Sequence, residues 1–324
     1  MSDWLRVLAG GALLYFGAEW LVRGASSLAL ALRIPQLIVG LTIVAYGTSA
    51  PEVIVESTAA ANGLGVVAFG DALGSNIANI GLILGVAALI SPARVSGTLA
   101  RGELPMLLAG AAVVPLLMLD GAVSRFEAVV LLLVAVTYTA LMVRAARAAS
   151  ALADATVETM VTGAAADAAG APAPRGALGS LATAGVGLAV LLVGGNLLVG
   201  GAVSVARVLG MSERLVGVTI VAIGTSLPEL VTSAVAARRG YSDIAVGNVV
   251  GSNIFNIFLC VGVAALFGPV GTPLRAAWFE VGALIVMTSV AAWLIRSERT
   301  LSRQEGAAML ALYVIFVVVS VFRG

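Results

Sequence analysis

The sequence predicts an all-α membrane protein of ten transmembrane helices arranged as two inverted five-helix repeats, and three observations carry that prediction. Hydrophobic residues make up 60% of the chain and charged residues only 11%, far below the roughly one quarter charged in soluble domains. Ten apolar stretches follow one another, each long enough to cross a bilayer. One peptide also occurs twice, GLTIVAYGTSAPE at 40–52 and GVTIVAIGTSLPE at 217–229, so that Glu229 follows Glu52 by 177 residues.

The first repeat, 1–147, holds expected spans at 4–32, 36–61, 66–90, 103–119 and 125–147. Span 4–32 is read as a retained helix and not a signal peptide, because it carries Glu19 and Arg23 and lacks a clear small-residue cleavage site. Residues 148–177 are rich in Ala, Gly and Pro without apolar periodicity and read as a flexible linker. Its acids Asp154, Glu158 and Asp167 are too scattered for a calcium loop. The second repeat, 178–324, holds spans at 178–208, 213–237, 243–267, 273–295 and 304–322.

Five spans per repeat is an odd number, so the second copy enters the membrane from the opposite side. With both termini outside, Arg33, Arg94, Arg101, Arg144, Arg147, Arg175, Arg238, Arg239, Arg296, Arg299 and Arg303 lie inside. Arg6, Arg125, Arg207, Arg214, Arg275 and Arg323 then lie outside. Eleven against six favours that orientation and a cytoplasmic linker. Arg23 would snorkel to the inner face, paired with Glu19 one turn earlier. The absence of lysine, with heavy use of Ala, Gly, Val and Arg, suggests GC-rich coding and a prokaryotic plasma membrane.

All 18 basic residues are arginines, and there is no histidine. A Schiff-base lysine, a histidine relay and a histidine metal site are excluded. The single cysteine, Cys260, excludes an internal disulfide and a thiolate cluster, and its apolar surroundings give it a packing role. No nucleophile–base pair or phosphate loop is present, so no enzyme and no cofactor are expected. Asp and Glu alone remain to carry protons or hard cations.

An ionised glutamate at mid-bilayer persists only where it faces an internal path or binds a cation. In Gly47-Thr48-Ser49-Ala50-Pro51-Glu52 the proline has no N–H to give the carbonyl of Gly47, and its ring opens that turn. Irregular backbone at such depth must line a cavity or be buried in protein. Freed carbonyls beside hydroxyls and a carboxylate are oxygen ligands for a hard cation. Gly224-Thr225-Ser226-Leu227-Pro228-Glu229 repeats this from the other side, so Glu52 and Glu229 are expected to flank one midplane site. A proline kink with hydroxyls bonded back to the helix is the plain alternative.

The next spans carry Gly74-Ser75-Asn76-Ile77 and Gly251-Ser252-Asn253-Ile254 at the same offset. Ser75 and Asn79 are one turn apart, as are Ser252 and Asn256, so each pair shares a face. Gly74 and Gly251 would admit another helix closely. These groups fit either ion ligation or a polar seam between helices.

The paired segments resemble the alpha repeats of the sodium/calcium exchangers, prokaryotic type, within the cation/calcium exchanger superfamily. The resemblance covers essentially the whole chain and implies an antiporter working by alternating access, with the lipid bilayer, calcium and sodium as its partners. Carried over, it implies cation ligands at Glu52, Glu229, Thr48, Thr225, Ser49, Ser226, Ser75 and Ser252 and at the carbonyls of Ala45 and Ala222. Asn79 and Asn256 supply neutral amides at the middle position, where related prokaryotic exchangers often have an aspartate in the second motif. Two further departures are Glu56, where the other repeat has Ser233, and Asp71, where it has Asn248. Each adds charge to the pathway, unless Glu56 is a neutral carboxyl against backbone and Asp71 a helix N-terminal acid. Glu103 and Glu280 read as acids in first helical turns. A proton/calcium antiporter is the nearest alternative, although that branch carries acids in its Gly-Asn motif where this chain has Ser75 and Ser252. A passive channel would need a polar path from end to end.

Overall fold

The computed structural model describes residues 2–94, 102–160, 176–211, 222–298 and 300–323. Arg101, Arg175, Arg214 and Arg299 of the orientation argument lie outside them, as does 161–175 of the expected linker. The described chain is helical apart from a small antiparallel ribbon, Ala93–Arg94 against Thr300–Leu301, and one bridge between Val123 and Val270.

Seven helices are long and apolar enough to cross a membrane, or eight if the bent pair Gln36–Thr48 and Ala50–Ala61 is one span. In chain order the helices are α1 (Asp3–Ala31), α2 (Gln36–Thr48), α3 (Ala50–Ala61), α4 (Gly65–Ile90), α5 (Leu104–Leu117) and α6 (Arg125–Met160). They continue as α7 (Ala177–Val208), α8 (Ala222–Thr225), α9 (Leu227–Arg238), α10 (Ser242–Phe267), α11 (Leu274–Glu298) and α12 (Arg303–Arg323). The stretch expected at 103–119 forms the shorter α5, and that at 213–237 is described only from Ala222. Helix α6 runs on to Met160, so the linker's first part is helical and does not break at residue 148. Its alanines favour continuation, and no Gly or Pro interrupts the chain before residue 161.

Chain breaks occur where the repeated peptide predicts them. Ser49 has φ −85° and ψ 3°, and Ser226 has φ −88° and ψ 6°, so both leave the helical region one residue before a new helix. Pro51 and Pro228 then occupy the first turns of α3 and α9, where a missing N–H costs nothing. Helices α2 and α3 meet at 42°. The sequence pattern alone does not show the π-helical turns at Gly40–Val44, Asn79–Ile83 and Asn256–Cys260. Such turns put an extra residue into a helix and re-aim its polar side chains.

Two apolar cores surround these breaks. The larger one gathers α4, α5, α6, α10 and α11, with Ile77, Ile80, Leu84, Ile254 and Phe255 wholly buried. The smaller one holds the long pair α1 and α7 against α9 through Leu14, Leu21, Val22, Leu191, Val235 and Ala236. Helices α1 and α7 are antiparallel and touch backbone to backbone. A Cβ on Gly10, Gly17 or Gly24 would collide with main-chain atoms of Leu198, Leu191 and Ala184, and one on Gly187 or Gly194 with those of Leu21 and Leu14. The seven-residue spacing keeps these glycines on one stripe of each helix. Their register also shows the doubling, since Gly187, Gly194 and Gly201 follow Gly10, Gly17 and Gly24 at the same 177-residue offset.

This seam predicts that Gly17→Val or Gly194→Val lowers the midpoint of thermal unfolding in detergent, by about 1–3 kcal/mol or more of overpacking. Gly185→Ala, where nothing lies within 4 Å, is expected to leave it unchanged.

Candidate functional site

The breaks at Ser49 and Ser226 place the first turns of α3 and α9 inside the protein, with Glu52 and Glu229 each 1% exposed. Hydrogen bonds tie the two halves together there. Ser49 Oγ donates to Glu229 Oε1 at 3.2 Å, and Thr48 Oγ1 donates to Asn248 Oδ1 at 3.1 Å. From the other half, Thr225 Oγ1 donates to Asp71 Oδ1 at 3.4 Å and Ser226 Oγ to Ser75 Oγ at 3.3 Å. Asn248 Nδ2 donates in turn to Ser233 Oγ at 3.0 Å. Donors beside one break therefore serve acceptors beside the other.

What remains unsatisfied is informative. Buried Glu52 Oε2, Glu229 Oε2, Asp71 Oδ2, Ser252 Oγ, Asn256 Nδ2 and both polar atoms of Asn79 have no hydrogen-bond partner among the described residues. Buried polar groups are rarely left so unless an ion, proton or water completes them. The described ion pairs join Arg6 to Asp3, and Arg23 and Arg239 to Glu19, so none supplies a counter-charge here. Among the described residues no three His, Cys, Asp or Glu side chains gather as a metal centre. A cation held here would thus take most of its ligands from hydroxyls, amides and carbonyls, a donor set that suits hard ions and not transition metals.

The structure engages Thr48, Ser49, Glu229, Ser75, Ser226 and Thr225 in hydrogen bonds that cross between the halves. Glu52, Asn79, Ser252 and Asn256 are buried in the same helices without such links, apart from the Cys260 thiol, which donates to Asn256 Oδ1 at 3.6 Å. The carbonyl of Ala45 is already engaged by the Ser49 N–H at 3.0 Å and by Thr48 Oγ1 at 3.4 Å. Ala222 is the first described residue of the second copy of the repeated peptide, and its side chain lies outside what is described. Asn76 and Asn253 bond back to the carbonyls of Ala72 and Val249 within their own helices, each at 2.7 Å, and so act as helix-internal ties.

Several expectations need correction. Asp71 is not a helix N-terminal acid: it lies two turns into α4, aimed at Thr225 across the halves. Glu280 lies beyond the first turn counted from Leu274 but three residues after Ala277, where α11 leaves helical geometry at φ −107° and ψ 15°. Glu56 is wholly buried, yet neither oxygen bonds to backbone or to any other described group. Gly251 does admit Leu41 and Ala45 of α2 closely, but nothing described lies within 4 Å of Gly74, whose corresponding partners fall partly among residues 212–221. Arg23 pairs with Glu19 at 2.7 Å as expected, and Arg239 joins the same carboxylate from α9, which the sequence pattern did not suggest. Asn248 was noticed only as the counterpart of Asp71. Its bridging role was readable from that exchange, since an amide can both accept from Thr48 and donate to Ser233.

The sodium/calcium exchanger protein family model matches residues 2–144 and 179–322. The chain belongs to this family. It is 38% identical to the putative antiporter CaxA of Alkalimonas amylolytica over 95% of both chains. With the sodium/calcium exchanger MaX1 of Methanosarcina acetivorans it shares 30% identity over 98% of both. Its fold matches a solved structure of the sodium-calcium exchanger NCX_Mj, soaked with 10 mM Na+ and zero Ca2+, with a TM-score of 0.83, 31% identity and 98% coverage of both chains. The exchanger is therefore an integral membrane cation antiporter by family, with the nearly all-helical architecture of that structure.

Proposed function

We propose that this exchanger swaps sodium for calcium by alternating access around one midplane site flanked by Glu52 and Glu229, within two inverted five-helix repeats, 1–147 and 178–324. The observation that carries the reading is the bond from Ser49 beside one break to Glu229 beside the other, with a carboxylate oxygen of each glutamate left open in a core that has no counter-cation. Two carboxylates balance one divalent ion. Replacing it with more than two sodium ions would move net charge and make exchange sensitive to membrane potential. In this reading the remaining ligands are Thr48, Thr225, Ser49, Ser226, Ser75 and Ser252, the amides of Asn79 and Asn256, and the carbonyls of Ala45 and Ala222. Release of Thr48 Oγ1 from Ala45 would free that carbonyl for an ion. Both termini face outward, the linker is cytoplasmic, and α1 and α7 slide as a unit past the Pro-broken helices.

Calcium-45 uptake into proteoliposomes, with sodium, potassium and proton gradients imposed one at a time, tests the assignment. Sodium-driven uptake is expected, and uptake driven by a proton gradient alone would replace it with a calcium/proton antiporter. Glu52→Gln and Glu229→Gln are each expected to abolish uptake while the protein still folds and elutes as a single species. Crosslinks tying residues near Leu28 or Val205 to the core should stop exchange.

Glu56 has neither a hydrogen-bond partner nor an ion-pair partner among the described residues, and we read it as a neutral carboxyl that leaves Glu52 and Glu229 as the two working glutamates, with Asp71 facing them from α4. Sodium-driven uptake should then vary little from about pH 5.5 to 8.5, and Glu56→Gln should not change its profile. A marked pH dependence that disappears in the variant would put Glu56 on the ion path.

A further inference from the structure

Sequence doubling would allow α1 to meet α9 just as α7 meets α3, but the structure does not treat the two contacts alike. Helix α1 packs along α9, burying Leu14, Ala18, Leu21 and Val22 with Val235 and Ala236. Helices α7 and α3 barely touch. Ile54 on α3 is accordingly 67% exposed, whereas Val231, its counterpart on α9, packs against the smaller core. One Pro-broken helix is therefore covered by a long helix, and the other is not.

At the covered contact stands an ion pair. Glu19 of α1, 7% exposed, accepts from Arg239 Nε at 2.7 Å, and Arg23 holds its other oxygen at 2.7 Å. Arg239 caps the C-terminus of α9. A second polar tie lies on the same side, Gln36 Nε2 donating to Ser26 Oγ at 3.2 Å between α2 and α1. A small cavity of about 110 Å³, lined by Tyr15, Glu19, Val235, Arg238 and Arg239, leaves room beside the pair for the side chains to part. At the uncovered contact the corresponding residues are uncharged. Asn196 stands for Glu19 and is exposed, and Asn62 stands for Arg239 and bonds back to the carbonyl of Thr58 in its own helix.

We propose that Glu19 and Arg239 are positioning residues that lock α1 in register against α9 and so hold closed the access route on the face carrying Arg33 and Arg238. The proposal rests on the exchange reading above, in which α1 and α7 move past the broken helices. A slide of one helical turn, about 5.4 Å, carries Glu19 out of reach of Arg239. With Glu19 largely withdrawn from water, the pair resists that slide more than a surface pair does. The uncharged face has no equivalent tie. The two inward and outward states are then unequal in the absence of ions, and bound cations have to supply the difference.

The other half already carries the chemistry needed for the test. Spin labels on Leu30→Cys and Ile90→Cys report the distance between α1 and the core on the arginine-rich face, in full-length protein without sodium or calcium. Wild-type protein should show mainly the shorter distance. Glu19→Asn and Arg239→Asn should each raise the ratio of longer to shorter distance by roughly tenfold, and the double variant should add little beyond either single one. Arg239→Gln, at a half-exposed helix end, serves if Glu19→Asn fails to fold. A merely structural role would lower the unfolding temperature without changing the distance ratio. Unchanged distances in folded single variants, or shifts that simply add, overturn the lock. Absence of sodium-driven calcium uptake by the wild type would instead remove the exchange reading and leave the distances to decide the lock.

Discussion

Buried acid without a protein counter-ion is the constraint on which this structure depends. Glu52, Glu56 and Glu229 are 1% exposed or less, Asp71 faces them from α4, and the described ion pairs, of Arg6, Arg23 and Arg239, lie elsewhere. An isolated ionised carboxylate in a low-dielectric interior costs several kcal/mol. The chain meets part of that cost with neutral donors drawn from the opposite half, Ser49 for Glu229 and Thr225 for Asp71. Neither break is satisfied by its own half alone. The packing of the halves around each other follows from where the acids are, and the remaining open oxygens are those that the proposed site offers to a cation.

Local backbone chemistry makes those donors available. A serine or threonine inside a regular helix spends its hydroxyl on the carbonyl one turn back, as Thr183 of α7 does on Gly179 at 2.8 Å. Ser49 and Ser226 leave helical geometry, and their hydroxyls turn across the interface instead. The π-helical turns beginning at Asn79 and Asn256 follow the same logic, because an inserted residue rotates the polar face of α4 and α10 relative to the apolar residues that follow. Each irregularity costs helix hydrogen bonding and is tolerated because it is enclosed by protein.

The doubled peptides made the breaks, the buried glutamates and the nearly all-helical membrane class legible from residue types alone. Serine, proline and glutamate in that order inside an apolar stretch have few stable placements. The glycine stripes were present in the sequence as well, but their meaning depends on which two helices meet, and that is a tertiary fact. Of the two readings of Asp71, the helix N-terminal one fails because the acid lies beyond the first turn of a helix that begins at Gly65 and there faces Thr225 across the halves. The second partner of Glu19 was invisible for a related reason. Arg23 lies one turn away along the chain, while Arg239 reaches the same carboxylate across 220 residues. The helical run to Met160 was missed because alanine-rich composition reads as a linker when apolar periodicity is absent, although alanine is the strongest helix former.

A doubled sequence folded into two identical halves would offer a central cation site equally to both faces of a membrane, and an ion path open at both ends is a leak. An exchanger needs the halves to differ in conformation at every moment while remaining able to trade conformations. Here the difference is visible as α1 lying along α9 while α7 stands off α3. The backbone glycine seam packs α1 directly on α7, so in the proposed exchange the two helices would move as one. The two contacts are alike in shape through the repeat and unlike in charge, with Glu19 and Arg239 on one face and Asn196 and Asn62 on the other. Shared shape makes the exchange of conformations feasible, and unequal charge gives one of them the lower free energy when no ion is bound.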